Sequence, residues 1–175
     1  GLMLTICLHF YVSFDKKINI LHSLYVMEAK THEYYMQMAI RQAQLALEED
    51  EVPTGCVIIN ANPEYGKVSV IGQAHNQVEL LKDPTAHAEM IAITQAASAL
   101  GDWRLTDAIL YATKEPCPMC AGAIVLARIP TVVFGASDPK RGGAVSAFKV
   151  IPGILESECR ALLQNFFRAH RSASH

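Results

Sequence analysis

Ala108-Ile-Leu-Tyr-Ala-Thr-Lys-Glu-Pro-Cys-Pro-Met-Cys-Ala-Gly-Ala-Ile-Val-Leu-Ala-Arg-Ile-Pro-Thr-Val-Val-Phe-Gly135 is the stretch from which the fold is read. Its ends, Ala108 to Thr113 and Thr131 to Gly135, are short apolar runs of strand length. Between them Glu115-Pro-Cys-Pro118 reads as a loop and a helix follows to about Arg128. Pro130 separates that helix from the second strand. Two strands joined through a helix pair in parallel. Such units build a sheet with helices on both faces, so the class is α/β.

Upstream, Thr31 is placed to cap a helix reaching about Glu49. Tyr35, Met38, Ala39, Gln42, Leu45 and Ala46 supply its apolar stripe. The acidic run Glu48 to Glu51, with Pro53 and Gly55, ends it. Cys56 to Ile59 and Val68 to Gly72 form a hairpin around turn residues Asn60 to Gly66. Asn76 opens a loop that reaches Asp83-Pro-Thr85. A helix from about Ala86 to Ala99 stops at Gly101. Downstream, Asp138 to Gly143 is a basic, glycine-containing loop, and Leu155 to Arg168 is the last helix.

The same region carries chemistry. Thr85-Ala-His87-Ala-Glu89 is followed 26 residues later by Glu115-Pro-Cys117-Pro-Met-Cys120. Either half alone is modest, but each stands where a loop feeds a helix start. A residue before proline avoids helical backbone, and proline favours the first helical position. Cys117 is therefore expected at an N-cap, with Cys120 three residues on along the same face. Helix N–H groups and the positive helix end favour thiolates there. His87 is expected in the first turn of its own helix. Side chains tilt toward a helix N-terminus, so His87 and Glu89 both approach an ion lying off that end.

One imidazole and two sulfurs suit zinc, and three protein ligands leave a fourth position for water, as in catalytic sites. Such a water ionises near neutral pH. Glu89, close without being a ligand, is placed to shuttle protons during attack on an amidine-type ring carbon. This pairing of motifs is a known signature of zinc nucleobase deaminases. His75 is the one further candidate ligand nearby, and its place at a strand end reads as structural. A closed structural zinc site lacks a fourth ligand here, and a redox dithiol leaves His87 and Glu89 without a role.

The 175 residues are 51% hydrophobic, which suits one globular domain. The net charge of -2 is not that of a strongly basic nucleic-acid binder. Charge is uneven, however. From Pro139 onward six basic residues face two acidic ones, leaving that end at +4 and the remainder at -6. Cys7, Cys56 and Cys159 are scattered and read as apolar filler. Leu2 to Phe14 is too short to span a bilayer and lacks the flanks of a secretory signal. Gly1 reads as a residue left by tag removal and Met27 as a natural start. Residues 1–26 are thus expected to be an extension and 27–175 the folded domain of a cytoplasmic protein with no membrane association.

At these residues the chain resembles the cytidine deaminase-like superfamily. Within it the likeness is to bacterial tRNA adenosine deaminases, which convert the wobble adenosine of a tRNA anticodon to inosine. The likeness spans about residues 33 to 168. Beyond the two metal motifs it includes Glu51-Val-Pro-Thr-Gly, Asn76 eleven residues before His87, and Asp83-Pro-Thr. It continues through Val133-Phe-Gly-Ala, Asp138-Pro-Lys-Arg-Gly-Gly-Ala, Gly153-Ile-Leu, Glu158-Cys and Phe166-Phe-Arg168.

The resemblance implies a three-layer α/β/α fold with a five-stranded mixed sheet. It implies zinc on His87, Cys117 and Cys120, and proton shuttling by Glu89. Base contact falls to Asn76, the backbone of Ala88, and Pro116. RNA contact falls to Asp138, Lys140, Arg141, Phe166, Phe167 and Arg168. The partners implied are a tRNA anticodon stem-loop and a second copy of the chain, since each site in the family is completed by its neighbour. The chain departs from the family between Ser146 and Ile154, where too few residues remain for a helix end and a fifth strand.

Some of these residues have plainer readings. One of Phe166 and Phe167 should pack inward, and Lys140 and Arg141 also suit a solvated turn. Met36, Met38, Met119 and Trp103 read as structural. Cys-Pro-Met-Cys is shared with guanine and cytosine deaminases, so deamination of a free base is the rival activity. A non-catalytic zinc-stabilised binding module is the rival from another class.

Overall fold

The computed structural model describes residues 31–62, 68–143 and 148–173. The chain forms two compact units, Gly1–Tyr34 and Tyr35–His175. Of the first, residues 31–34 are described, and they are helical. Thr31 therefore stands within helical backbone and not at the cap expected of it. The extension 1–26, a start at Met27 and the tip of the turn after Asn60 fall outside the described residues.

In the second unit helix α1 covers 35–48. It is followed by β1 (Gly55–Asn60), β2 (Ser69–His75), the single turn α2 (Val78–Leu81), α3 (Ala88–Leu100) and β3 (Ala108–Lys114). Then come α4 (Pro118–Leu126), β4 (Thr131–Ala136), β5 (Lys149–Ile151) and α5 (Glu156–Ala173). The strands lie in the order β2-β1-β3-β4-β5. β1 is antiparallel to both β2 and β3, while β3, β4 and β5 run parallel. The sheet is thus five-stranded and mixed, as the resemblance implied. The fifth strand is present despite the short Ser146–Ile154 segment. It is three residues long and pairs Lys149 with Thr131 and Ile151 with Val133.

Period-two alternation sorts side chains to the two faces. Cys56, Ile58, Leu110, Ala112, Val132 and Phe134 pack with Ala88, Ala92 and Ala96 of α3 and Ile124 of α4. Val57, Ile59, Tyr111 and Val133 pack on the other face with Met36, Ala39 and Ile40 of α1 and Cys159 of α5. Helices therefore cover both faces, and the layers are α/β/α. Cys56 and Cys159 are core filler as expected. Burial pushes both thiols up, that of Cys159 to about 12.

The stripe on α1 differs from the one read off the sequence. Leu45 is exposed, and Met36, Ile40 and Ala43 are buried beside Ala39 and Ala46. The cause is Gly55. A Cβ there would meet the carbonyl oxygen of Ala39 and the backbone nitrogen of Ala43. The helix backbone rests directly on the start of β1, which calls for small residues on its inner face. The loop expected from Asn76 to Thr85 contains α2, closed by Lys82 in the left-handed region at φ 53°. Gly101, at φ 68°, ends α3 as expected. Among the described residues no helix is long and apolar enough to cross a membrane.

Gly55→Ala should lose about 1–3 kcal/mol of stability by overpacking. Gly122→Ala, at a helical position with nothing within 4 Å of the added carbon, should be neutral or gain about 0.5–1 kcal/mol. Urea unfolding of the two variants checks this, and equal midpoints would refute the close approach of α1.

Candidate active site

The ligand residues collect at one edge of the sheet, where β3 and β4 end. β1 starts there, β2 ends there, and α3 and α4 begin there. This is the edge at which parallel α/β sheets bind their ligands. Asp83 accepts hydrogen bonds from the Thr85 backbone at 2.8 Å and its hydroxyl at 2.7 Å. Gln77 N donates to Ala86 O at 3.0 Å. This folded loop delivers His87 to the N-cap of α3, one position earlier than the first turn expected. Cys117 is the N-cap of α4, with Pro118 behind it, as expected. Neither His87 nor Cys117 uses its side chain to cap its own helix. Both remain available to each other.

His87 Nδ1 lies 3.7 Å from Cys117 Sγ and 3.5 Å from Cys120 Sγ. A tetrahedral ion bonded at about 2.3 Å to sulfur and about 2.0–2.1 Å to nitrogen holds such atoms roughly 3.5–3.8 Å apart. The donor set therefore fits a zinc-sized ion. Among the described residues this is the group of His, Cys and carboxylate side chains able to hold a metal. His75 is no fourth ligand, because its Nε2 sits 2.9 Å from Glu49 Oε2. Burial first, then Glu89 and Cys117, push the Cys120 thiol well above its ordinary value. Glu89 is buried, which raises its carboxyl, while its own backbone amide, His87, Cys120 and Lys114 pull the other way. A cation among these groups relieves the strain.

A cavity of about 300 Å³ opens over His87 and Cys117. Its floor and walls include His87, Glu89, Cys117, Asn76, Glu51 and Lys114, and Arg141 and Phe167 stand at its rim. Ala88 is buried directly beside His87, and Pro116 is buried directly before Cys117. Phe167 is 47% exposed, while Phe166 is buried. Phe166 meets Phe167 edge-on at 5.4 Å and lies 4.1 Å from the His170 ring. Phe166 is thus the one of the pair that packs inward, as expected, and Phe167 the exposed one. Lys140 and Arg168 are exposed and lie outside the lining.

The loop after β4 is bound to the metal loop. Asp138 Oδ2 pairs with Lys114 Nζ at 2.6 Å, and Oδ1 accepts from the backbones of Lys140 and Arg141 at 3.1 Å. Glu115 Oε2 accepts from Asp138 N at 2.9 Å, and Gly143 N donates to Pro116 O at 2.8 Å. A Cβ on Gly143 would come within 2.7 Å of the Pro118 backbone. The Asp138 carboxylate is thus occupied in shaping the loop that presents Arg141. Sequence reasoning gave no site role to Glu51, Lys114 or Glu115. The signal available for Lys114 and Glu115 was their place beside the Cys117 motif, and Glu51, inside an acidic run, offered none.

Hydrolytic deamination needs a polarising cation and one nearby group that both accepts and returns a proton. The chain carries a donor set that fits such a cation and a buried carboxylate beside it, on a cytidine deaminase-like sheet, and so falls in the class of hydrolytic deaminases with that fold. A model of the MafB19-like deaminase family matches residues 30–171. The tRNA-specific adenosine deaminase of Bacillus subtilis (strain 168) is 46% identical over 151 residues, 79% of this chain and 90% of its own. A solved structure from studies of A-to-I editing by tRNA:A34 deaminases at the wobble position of transfer RNA is 39% identical. Its TM-score is 0.67, covering 74% of this chain and 99% of its own. A guanine deaminase from Bacillus subtilis is 38% identical at a TM-score of 0.54, covering 61% and 64%. The chain belongs to the family of tRNA-specific adenosine deaminases.

The hydrogen bond from Lys114, ahead of those from the backbones of Lys140 and Arg141, holds the Asp138 carboxyl below its ordinary value. A depressed folded value means that its stabilisation is complete above the unfolded value of about 3.9. It is lost as pH falls through the folded one. Lys114→Met should raise the Asp138 titration midpoint, read by carboxyl NMR. Superimposable curves in the two proteins would remove Lys114 as the cause.

Proposed function

We propose that this chain converts the wobble adenosine of a tRNA anticodon to inosine, hydrolytically, in the pocket above His87, Cys117 and Cys120. The observation that carries this reading is the pocket itself. It brings His87, Cys117, Glu89 and Asn76 together, and its wall includes the exposed residues Glu79, Arg141 and Phe167. A base swung out of an anticodon loop enters such a pocket from solvent while its backbone stays outside. The names of the relatives supply the substrate, and the basic residues near the rim supply anion contacts.

His87, Cys117 and Cys120 would hold zinc, which when bound lowers the pKa of water toward neutrality and polarises the carbon under attack. Glu89 takes one proton from the attacking water and gives it to the adjacent ring nitrogen, then takes the second from the oxygen now bonded to C6 and gives it to the departing amine. Oxygen–carbon bonding at C6 and cleavage of the bond to N6 release ammonia. Asn76, the backbone of Ala88, and Pro116 hold the base so that C6 meets the water. Arg141 and Lys140 neutralise phosphates, as Arg168 does on α5, and Phe167 offers a ring on which a neighbouring base stacks. The working unit is a homodimer in the cytoplasm, with 27–175 as its deaminase domain and 1–26 as an extension.

The likeness to a guanine deaminase favours a second reading, deamination of free guanine. The assays separate the two. The wild-type chain should form inosine on an anticodon hairpin and turn over little free guanine, cytosine or adenosine. Brisk guanine turnover with the hairpin ignored would decide for the rival. Glu89→Gln should lower kcat by about 10²- to 10⁴-fold with zinc content and unfolding midpoint preserved. Loss of zinc in that variant would make Glu89 a ligand, and unchanged function would make the chain a binding module. Chelation should abolish turnover and lower the Tm, and added zinc should restore both.

A further inference from the structure

Glu51 is a carboxylate in an unexpected place. It ends the acidic run after α1, yet it is 1% exposed. Burying such a group is costly unless its oxygens are bonded. Both are. Oε2 accepts from Asn76 Nδ2 at 2.9 Å, and Oε1 accepts from Leu80 N at 2.7 Å. Its own backbone N donates to Ala46 O at 2.9 Å. One residue thus joins the end of α1, the amide of Asn76, and α2, whose Val78 and Glu79 line the pocket.

The chemistry of the link matters as much as its position. An asparagine amide presents oxygen on one side and two N–H donors on the other, and a half-turn exchanges them. Carboxylate oxygens tolerate only the donor side. Glu51 therefore selects one of the two orientations of Asn76. One Nδ2 hydrogen is engaged, which leaves the second and Oδ1. A donor beside an acceptor complements the N7 acceptor and N6–H donor along one edge of adenine, whereas guanine carries two acceptors there.

We propose that Glu51 is a positioning residue that sets the polarity of the Asn76 amide, and through it the edge by which the pocket reads an amino purine. The proposal rests on the base contact assigned to Asn76 above.

The test is a double-mutant cycle. Wild type, Glu51→Gln, Asn76→Ala and the double variant are assayed on an anticodon hairpin carrying adenosine or 7-deazaadenosine at the target position. Glu51→Gln should lower kcat by about ten- to hundred-fold, as when the outer partner of a site residue is lost. KM should stay within about threefold of wild type, because phosphate contacts hold the hairpin. In the Asn76→Ala background the same substitution should change kcat by no more than about twofold. The wild-type penalty for 7-deazaadenosine should shrink in Glu51→Gln. Independent, multiplying losses or an undiminished penalty would overturn the proposal.

If the hairpin is not a substrate of the wild type, the functional reading fails. The Asn76 amide proton pair, followed by NMR, then decides. The pair should shift in Glu51→Gln, and an unchanged spectrum overturns the proposal. If Glu51→Gln does not fold, Glu51→Asp serves in its place. It keeps the acceptor chemistry and should retain more activity than Asn76→Ala. Activity no better than that variant overturns the proposal.

Discussion

Two helix starts meet at one sheet edge, and everything chemical in this chain depends on their meeting. His87 and Cys117 are the N-caps of α3 and α4, each in extended backbone with its side chain uncommitted to its own helix. A helix start carries unsatisfied N–H groups and a partial positive charge of about +0.5. Two of them together favour the electron-rich side chains of a metal site. The close seating of α3 makes the meeting possible. Its Ala88, Ala92 and Ala96 face the sheet, and a side chain on Gly72 would collide with the Ala92 carbonyl. Larger residues on that face would lift His87 away from the sulfurs.

Around this junction the loops are fixed by one another and not by a core. The segment after β4 leans on the metal loop through the Lys114–Asp138 pair, the Glu115 carboxylate and the backbone bond from Gly143 to Pro116. Arg141 reaches the pocket rim because this network holds the loop in place. The net charge of the chain therefore says little about anion binding. What counts is which cations stand at the rim, and there the carboxylates of Glu115 and Asp138 are engaged in internal bonds.

The pocket holds two buried carboxylates with different surroundings. Glu51 has a backbone and a side-chain N–H, one on each oxygen, and is locked in a hydrogen-bonded frame. Glu89 lies against His87 and Cys120, and burial raises its carboxyl. The second setting suits the proton transfer proposed for Glu89, and the first the positioning proposed for Glu51.

The cluster of His87, Cys117 and Cys120, the place of Glu89 beside it and the class of fold were legible in the chain because they rest on local rules. Proline fixes where α4 begins, i and i+3 spacing puts two sulfurs on one face, and short apolar runs mark β3 and β4. The stripe on α1 was misread because burial there is set by the sheet face it packs on, including its close approach to Gly55, and not by local hydrophobicity. The same limit hid Glu51, whose acidic neighbours made it look like a solvated helix end. Phe166 and Phe167 were indistinguishable in sequence, and the packing of α5 decided which is buried. Local spacing thus determined what the site is made of. The tertiary structure alone decided which groups face it, because burial and hydrogen-bond partners are properties of segments that meet only in space.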